Sequence, residues 1–384
     1  MKKFITATAS MALLLGACTT TEKAPEFKVT ATGLPAEANG TYAYIYDVTN
    51  EVVDSALIEN GSFTFVSPAN DSIINVVKLM DTPLLFAREA GEYTFTITTD
   101  SISDETSIIR SGAENSAFMK LQNLYDELND VETRYTKYTN DIESIAENIL
   151  TPDSTLTKEQ EAQIDSIYTI MDTEATKINK KYFSEATNAS VQIAALRNMR
   201  RSIEPEEFIA LYDQAPESLK AEKSLATFYK TSVAAANTAV RKQFVDYQMT
   251  NPAGETKMLS EFRTKGKYFL LDFFASWCGP CQKSMPVLAQ IEKQYAKILS
   301  SASIAIWERD EDGTAYANAV KKLKITWPTF QDGNRIDGKN QSMGAETYGV
   351  IGVPTFILFS PEGEIIVRTH DVTEIKAKLD ELNK

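Results

Sequence analysis

Three hydrophobic patterns succeed one another along the chain. Between residues 27 and 112, apolar and polar positions alternate or are rich in aromatic and β-branched residues, as in Tyr42-Ala43-Tyr44-Ile45-Tyr46, Ser62-Phe63-Thr64-Phe65-Val66 and Tyr93-Thr94-Phe95-Thr96-Ile97. A period of two predicts strands with one buried face. Asn60-Gly61 falls between two such runs and predicts a type I′ turn, whose central positions both need positive φ. The tyrosines read as sheet packing by default, with a ligand face as the alternative. From Leu121 the period lengthens. Leu121, Leu124, Leu128, Val131, Tyr135, Tyr138, Ile142, Ile145 and Ile149 recur at alternating spacings of three and four, the a/d seam of a long helix. Pro152 should stop that helix. Thr157 with Gln160 forms a capping-box pattern that starts a second helix, whose seam is Ile164, Ile167, Met171, Ile178 and Tyr182. Two antiparallel arms of about 30 residues, roughly 45 Å long, are expected. They serve either as a spacer or dimerisation device or as helices packed on their own domain. Further helices should break near Pro205 and Pro216.

Glycine reinforces this division. Residues 18–112 hold five and residues 254–384 hold ten, but residues 113–253 hold none. At the usual frequency near 7%, about ten would be expected there, so the middle reads as long helices with few glycine caps or turns. The expected organisation is a β domain over 27–112, a helical region over 113–250 and an α/β domain over 251–384.

The last third carries the chemistry. The apolar strand Tyr268-Phe269-Leu270-Leu271-Asp272-Phe273-Phe274, broken by one acid, runs into Ala275-Ser276-Trp277-Cys278-Gly279-Pro280-Cys281. An amphipathic helix follows, with Val287, Leu288, Ile291 and Tyr295 on one face. Further on come Ile304-Ala305-Ile306, Trp327-Pro328-Thr329-Phe330, Gly352-Val353-Pro354-Thr355 leading into Phe356-Ile357-Leu358-Phe359, a turn at Pro361-Glu362-Gly363 and a terminal helix. Several features agree in type and spacing. Trp277 directly precedes Cys278, Gly279-Pro280 separates the cysteines, and Asp272 lies six residues before Cys278. Pro286 lies five after Cys281, and Val353-Pro354-Thr355 stands 75 residues downstream of Cys278. This third resembles the thioredoxin fold, specifically the TlpA/ResA-like thiol–disulfide oxidoreductases. Residues 27–112 resemble a small β domain that precedes such modules in some bacterial envelope lipoproteins.

A thiolate is the attacking species in disulfide exchange, and a helix N-terminus stabilises negative charge. Cys278 is therefore expected to be the nucleophile. Cys281, one turn in, would resolve the mixed disulfide at high effective concentration. Asp272, an acid in an apolar strand, should have a raised pKa suited to exchanging the proton of Cys281; a solvated edge position is the alternative. The resemblance implies that Val353-Pro354 is a cis-proline loop which, with Trp277, Gly279 and Pro280, contacts an extended substrate. Members often carry Glu three residues after the second cysteine, where this chain has Ser284. That would leave acid–base work to Asp272 or water. Gly-Pro between the cysteines resembles reducing thioredoxins, near about −270 mV against about −120 mV for strong oxidants, so a reductant is expected. The acidic run Glu308, Asp310, Glu311, Asp312 reads as a solvated loop or as a bias on partner choice.

The N-terminus adds a location. Lys2 and Lys3 precede an apolar run to Leu15, shorter than the about 20 residues that span a bilayer but suited to a secretory leader. Leu15-Gly16-Ala17-Cys18 resembles a bacterial lipobox, which implies a signal peptide over 1–17, acylation of Cys18, a tether over 18–26 and a lipid-anchored envelope protein. That assignment leaves only Cys278 and Cys281 of the three cysteines. A bridge between residues three apart constrains the unfolded chain little, which favours redox chemistry over stapling.

Other functions fail on counting. With a net charge of −14, or −16 without the two leader lysines, nucleic acid and anionic membrane surfaces are poor partners. Zinc needs about four ligands, and two cysteines with the one distant His370 do not supply them. A c-type haem needs His where Gln282 stands. His370 reads as a surface residue, and no phosphate loop appears. No cofactor beyond the Cys278–Cys281 pair is expected. Two readings remain. One is an enzyme reducing or isomerising disulfides of exported cysteine-containing proteins and recharged, as the family implies, by a membrane thiol reductant. The other is a lipid-anchored scaffold with residual redox activity. Cytochrome c maturation is one role of relatives that nothing in the residues selects, and the oligomeric state is not encoded legibly.

Overall fold

The computed structural model describes residues 25–384 except 49, 80–81, 100–105, 150–157, 334, 337–338 and 341. The leader, Cys18, nearly all of the tether, Pro152 and Thr157 lie outside the described residues. Two compact units form, one ending at Gln122 and the other running from Asn123 to Lys384.

The first unit contains strands β1 (Glu26–Thr32), β2 (Tyr42–Asp47), β3 (Val52–Leu57), β4 (Ser62–Pro68), β5 (Asn70–Leu79), β6 (Thr82–Arg88), β7 (Gly91–Thr99) and β8 (Thr106–Ser111). They form two sheets of order β4-β1-β7-β8 and β3-β2-β5-β6. One aromatic core serves both, with Phe27 stacked on Phe86 at 5.3 Å between ring centroids. Asn60 and Gly61 have φ of 50° and 68° and make a tight turn closed by the Glu59–Ser62 bridge, where the chain passes from one sheet to the other. The alternation in β2 points opposite to the default reading. Ala43 and Ile45 are buried while Tyr42 and Tyr44 are 53% and 49% exposed, because a period of two sends i and i+1 to opposite faces.

The helices are α1 (Ala117–Ile149), α2 (Lys158–Glu185), α3 (Ala189–Met199), α4 (Pro205–Gln214), α5 (Glu217–Lys220) and α6 (Lys223–Asn237). Pro205 occupies the first turn of α4 and Pro216 precedes α5, where a missing N–H does no harm. The arms are antiparallel. Glu127 meets Lys181 and Tyr182, and seven to eight residues further out Arg134 and Tyr135 meet Glu174. The seam is buried at Leu124 and Val131 but has emerged by Tyr138, 53% exposed.

The remaining elements are β9 (Gln248–Thr250), β10 (Thr256–Met258), β11 (Tyr268–Phe274), α7 (Gly279–Tyr295), β12 (Leu299–Ala305), α8 (Thr314–Lys322), β13 (Thr329–Gln331), β14 (Arg335–Ile336), β15 (Lys339–Asn340), α9 (Met343–Tyr348), β16 (Thr355–Phe359), β17 (Ile365–Thr369) and α10 (Val372–Leu382). The central sheet has the order β13-β12-β11-β16-β17. β11, β12 and β13 are mutually parallel, and β16 runs antiparallel to β11 and β17. This is the thioredoxin-like mixed sheet. β11 is buried along nearly its whole length, as a strand covered on both faces must be. Leu270 and Phe274 pack with α7 and α10, whereas Phe269, Leu271 and Phe273 pack with Tyr247 and Tyr348 on the other face. By the same alternation, Asp272 belongs to the α7 face.

Helix α6 is locked to the end of α9. Gly349 has φ of 57°, and a Cβ there would meet the Ala235 nitrogen at 2.2 Å and the Thr231 carbonyl oxygen at 2.4 Å. Arg368 reinforces the join, donating from Nη1 to Thr238 and from Nη2 to the carbonyls of Tyr348 and Gly349.

Candidate active site

The site lies where β11 gives way to α7, outside the carboxyl ends of parallel strands, the usual place for chemistry in such sheets. Cys278 is the N-cap of α7, and its Sγ accepts the Cys281 backbone N–H at 3.1 Å. Pro280 sits in the first turn, where its missing N–H is not needed. Cys278 and Cys281 are joined as a disulfide. Unpaired N–H groups and the helix dipole favour an anion at this cap. A thiolate on Cys278 is therefore stabilised by a bond that the fold already aims at its sulfur.

The Val353–Pro354 peptide bond is cis. The Val353 carbonyl oxygen lies 3.6 Å from Cys278 Sγ, so this loop and the cysteines form one surface. Cys278 is only 4% exposed and Cys281 1%, whereas Trp277 beside them is 40% exposed. Trp277 is fixed at both ends. Its Nε1 donates to the Trp307 carbonyl at 2.8 Å, and the Arg309 guanidinium lies 4.3 Å from its ring centroid.

Asp272 is 2% exposed. Its register neighbour on β12 is Ser303, whose Oγ donates to Asp272 Oδ2 at 2.7 Å and accepts from Trp327 Nε1 at 2.8 Å. Asp272 Oδ1 has no partner. Burial pushes the carboxyl up to about 7, against the smaller downward pull of Ser303. A solvated edge position does not describe it. Ser284 Oγ donates to the Pro280 carbonyl of its own helix, so it offers no acid in place of a glutamate.

The acidic run is a loop, as expected, but its first residue is not solvated. Glu308 is 4% exposed. One carboxylate oxygen accepts the Ser276 backbone N–H at 2.7 Å and the other accepts the Ser276 hydroxyl. Burial raises its pKa against these bonds. Asp310 and Asp312 accept the Ala315 and Thr314 amides at the start of α8, satisfying orphan donors. Glu311 and Asp312 are exposed. Glu308 thus holds the residue two before Cys278, a role no local pattern announced. Its place directly after the β12 run was the available hint. His370 is exposed, yet its Nδ1 lies 2.6 Å from the Pro354 carbonyl oxygen. Among the described residues no cluster of three or more His, Cys, Asp or Glu could hold a metal ion, and no helix is long and apolar enough to cross a membrane.

A family model described as thioredoxin-like matches residues 266–365. The thiol-disulfide oxidoreductase ResA of Bacillus thuringiensis is 30% identical over 128 residues, 33% of this chain and 67% of that protein. The chain belongs to the thioredoxin-like thiol–disulfide oxidoreductases. The thioredoxin-like protein YneN of Bacillus subtilis is 27% identical over 142 residues, 36% of this chain and 78% of that one. Among solved structures, a thiol-disulfide oxidoreductase from Bacteroides fragilis shares 31% identity, covering 37% of this chain and 99% of that one with a TM-score of 0.32. This oxidoreductase accordingly carries its thiol–disulfide module in its final third, behind a strand-rich domain and a helical segment.

Proposed function

We propose that the protein reduces disulfides of exported cysteine-containing proteins at the envelope, tethered by a lipid on Cys18. The Cys278 thiolate attacks one sulfur of the client disulfide, and the other client sulfur leaves as a thiolate. Cys281, losing its proton, then attacks Cys278 Sγ. The second client sulfur leaves, and the Cys278–Cys281 disulfide remains. Two electrons pass to the client, and each released thiolate takes up a proton. A dithiol of a membrane reductant restores the pair by the same exchange in reverse.

The observation that carries this reading is the Cys281 N–H aimed at Cys278 Sγ beside the Val353 carbonyl. The first stabilises the attacking thiolate. The second supplies an acceptor against which an extended client can lie, between Trp277 on one side and Gly279-Pro280 on the other. Asp272, titrating at about 7 on the face that α7 covers, is suited to take the Cys281 proton and return it. The Gly279-Pro280 pair favours the reducing direction. The export leader and lipobox are the support for location. The test is a Cys281→Ser variant expressed in cells: it should accumulate a client joined to Cys278, and mass spectrometry should identify exported proteins. Recovery of cytoplasmic clients alone, or of none, contradicts the proposal.

A further inference from the structure

Behind the cis-proline loop lies a cavity of about 310 Å³ whose walls come from the α3–α4 connection, α6 and the edge of the central sheet. Three arginines, Arg200, Arg201 and Arg368, line it together with His370. Glu204 is the one carboxylate among the lining side chains. In a chain of net charge −14, this is a local reversal of sign.

None of the three guanidiniums has a carboxylate within ion-pair distance among the described residues. Arg368 is held by backbone carbonyls and the Thr238 hydroxyl. Burial lowers it only to about 10, so it keeps its charge at neutral pH. Arg200 stacks over Phe228 at 6.0 Å and donates to the Arg197 carbonyl. Burial lowers its pKa first, the Arg201 and Arg197 charges lower it further, and Glu222 offsets part of this from beyond ion-pair distance. Arg200 and Arg368 are partly desolvated, and such charges are costly unless an anion joins them; Arg368, its Nη atoms engaged, adds charge, while the exposed Arg201 is open to match a carboxylate bidentately.

The cavity adjoins the client surface. Thr355 and His370 line it, Thr355 directly follows Pro354, and His370 contacts the Pro354 carbonyl at 2.6 Å. The same loop thus borders both the cysteines and the cavity. We infer that the cavity receives a carboxylate of the oxidised client, an acidic side chain near the reacting cysteine, and so selects acidic segments. The helical region thereby supplies specificity to the cysteines.

This inference rests on client reduction as read above, and the test separates the two. Two peptides with one internal disulfide, flanked on both sides by Glu or by Gln, react with the pre-reduced full chain under single-turnover conditions at low salt. The Glu peptide should react about ten-fold faster. Exposed Arg201 permits the charge reversal Arg201→Glu, which should bring the Glu/Gln ratio to one or below; Arg200→Gln should also lower it. Equal rates, or a ratio that survives both substitutions, overturn the inference. Succinate serves as a free dicarboxylate. If it binds by calorimetry and loses binding in Arg201→Glu while the two peptides react alike, the cavity serves a free small anion and client selection is refuted. If neither peptide reacts, the reading of the cysteines fails. Calorimetric preference for the Glu peptide over the Gln peptide then still supports the cavity's role, and its absence refutes it.

Discussion

Replacing Asp272 by Asn tests the buried carboxyl as a thermodynamic object, independently of turnover. In the unfolded chain an aspartate titrates near about 3.9; in the fold it is raised to about 7 by burial. Below both values the group is protonated in either state and stability is unaffected. Between them the unfolded chain ionises while the folded one holds its proton, so stability falls as pH rises, and above about 7 the loss is complete. A shift of about 3 units corresponds to about 4 kcal/mol. Asn cannot ionise, but placing its Nδ2 where the buried Oδ1 stands without a partner carries a desolvation cost. That adds a pH-independent cost of about 1–3 kcal/mol. The diagnostic quantity is thus the change with pH of the difference between variant and wild type, in which the constant cost cancels. Urea unfolding followed by tryptophan fluorescence reports the relevant region, since all three tryptophans (Trp277, Trp307 and Trp327) lie in the last third. From pH 4 to pH 8 the stability of Asp272→Asn relative to wild type should rise by about 4 kcal/mol. A difference constant to within about 1 kcal/mol would show that Asp272 is ionised in the fold, and the argument from burial would fail.

Other perturbations follow from the same geometry. Glu308→Ala leaves the Ser276 amide and hydroxyl without their acceptors, and charge-assisted bonds contribute about 1.5–3 kcal/mol each. The rate of client reduction should fall at least about ten-fold, with partial rescue in Glu308→Gln; stopped-flow kinetics of the two variants checks this. Ser303→Ala removes the bond that pulls the Asp272 carboxyl down, so the falling limb of the pH–stability curve should extend above pH 7, as urea titrations at pH 7–9 would show. Gly349→Ala brings a methyl within 2.2 Å of the Ala235 nitrogen at a φ of 57°. Thermal unfolding should show it destabilised by more than about 1 kcal/mol, and an unchanged midpoint would deny the close approach of α6 to α9.

What could be read from the chain was what local chemistry encodes. Asn60-Gly61 announces its turn because few other pairs accept two positive φ values. Trp277-Cys278-Gly279-Pro280-Cys281 between a strand and an amphipathic helix announces the thioredoxin-like module because each residue type is required where it stands. Glu308 was misread as solvated because its partner, Ser276, is 32 residues away and only strand register brings them together. The tyrosines of β2 face outward against the default expectation because alternation fixes only that two faces exist. Ala43 and Ile45, small enough to lie against the aromatic core, take the inner one. The cavity was illegible for a related reason. Arg200, Arg201 and Arg368 come from segments more than 160 residues apart, and their proximity exists only once α6 docks on α9.

Disulfide exchange by this protein depends on Cys278 being an unusually acidic thiol at a helix cap. Its most direct test is the rate of iodoacetamide alkylation of the reduced protein between pH 4 and pH 10, with mass spectrometry reporting which sulfur is modified. Cys278 should react first, and its rate should titrate below the range of a free cysteine, as for cap-stabilised thiols. A midpoint at or above about 8.5, the value of a free cysteine, or preferential modification of Cys281, would contradict it.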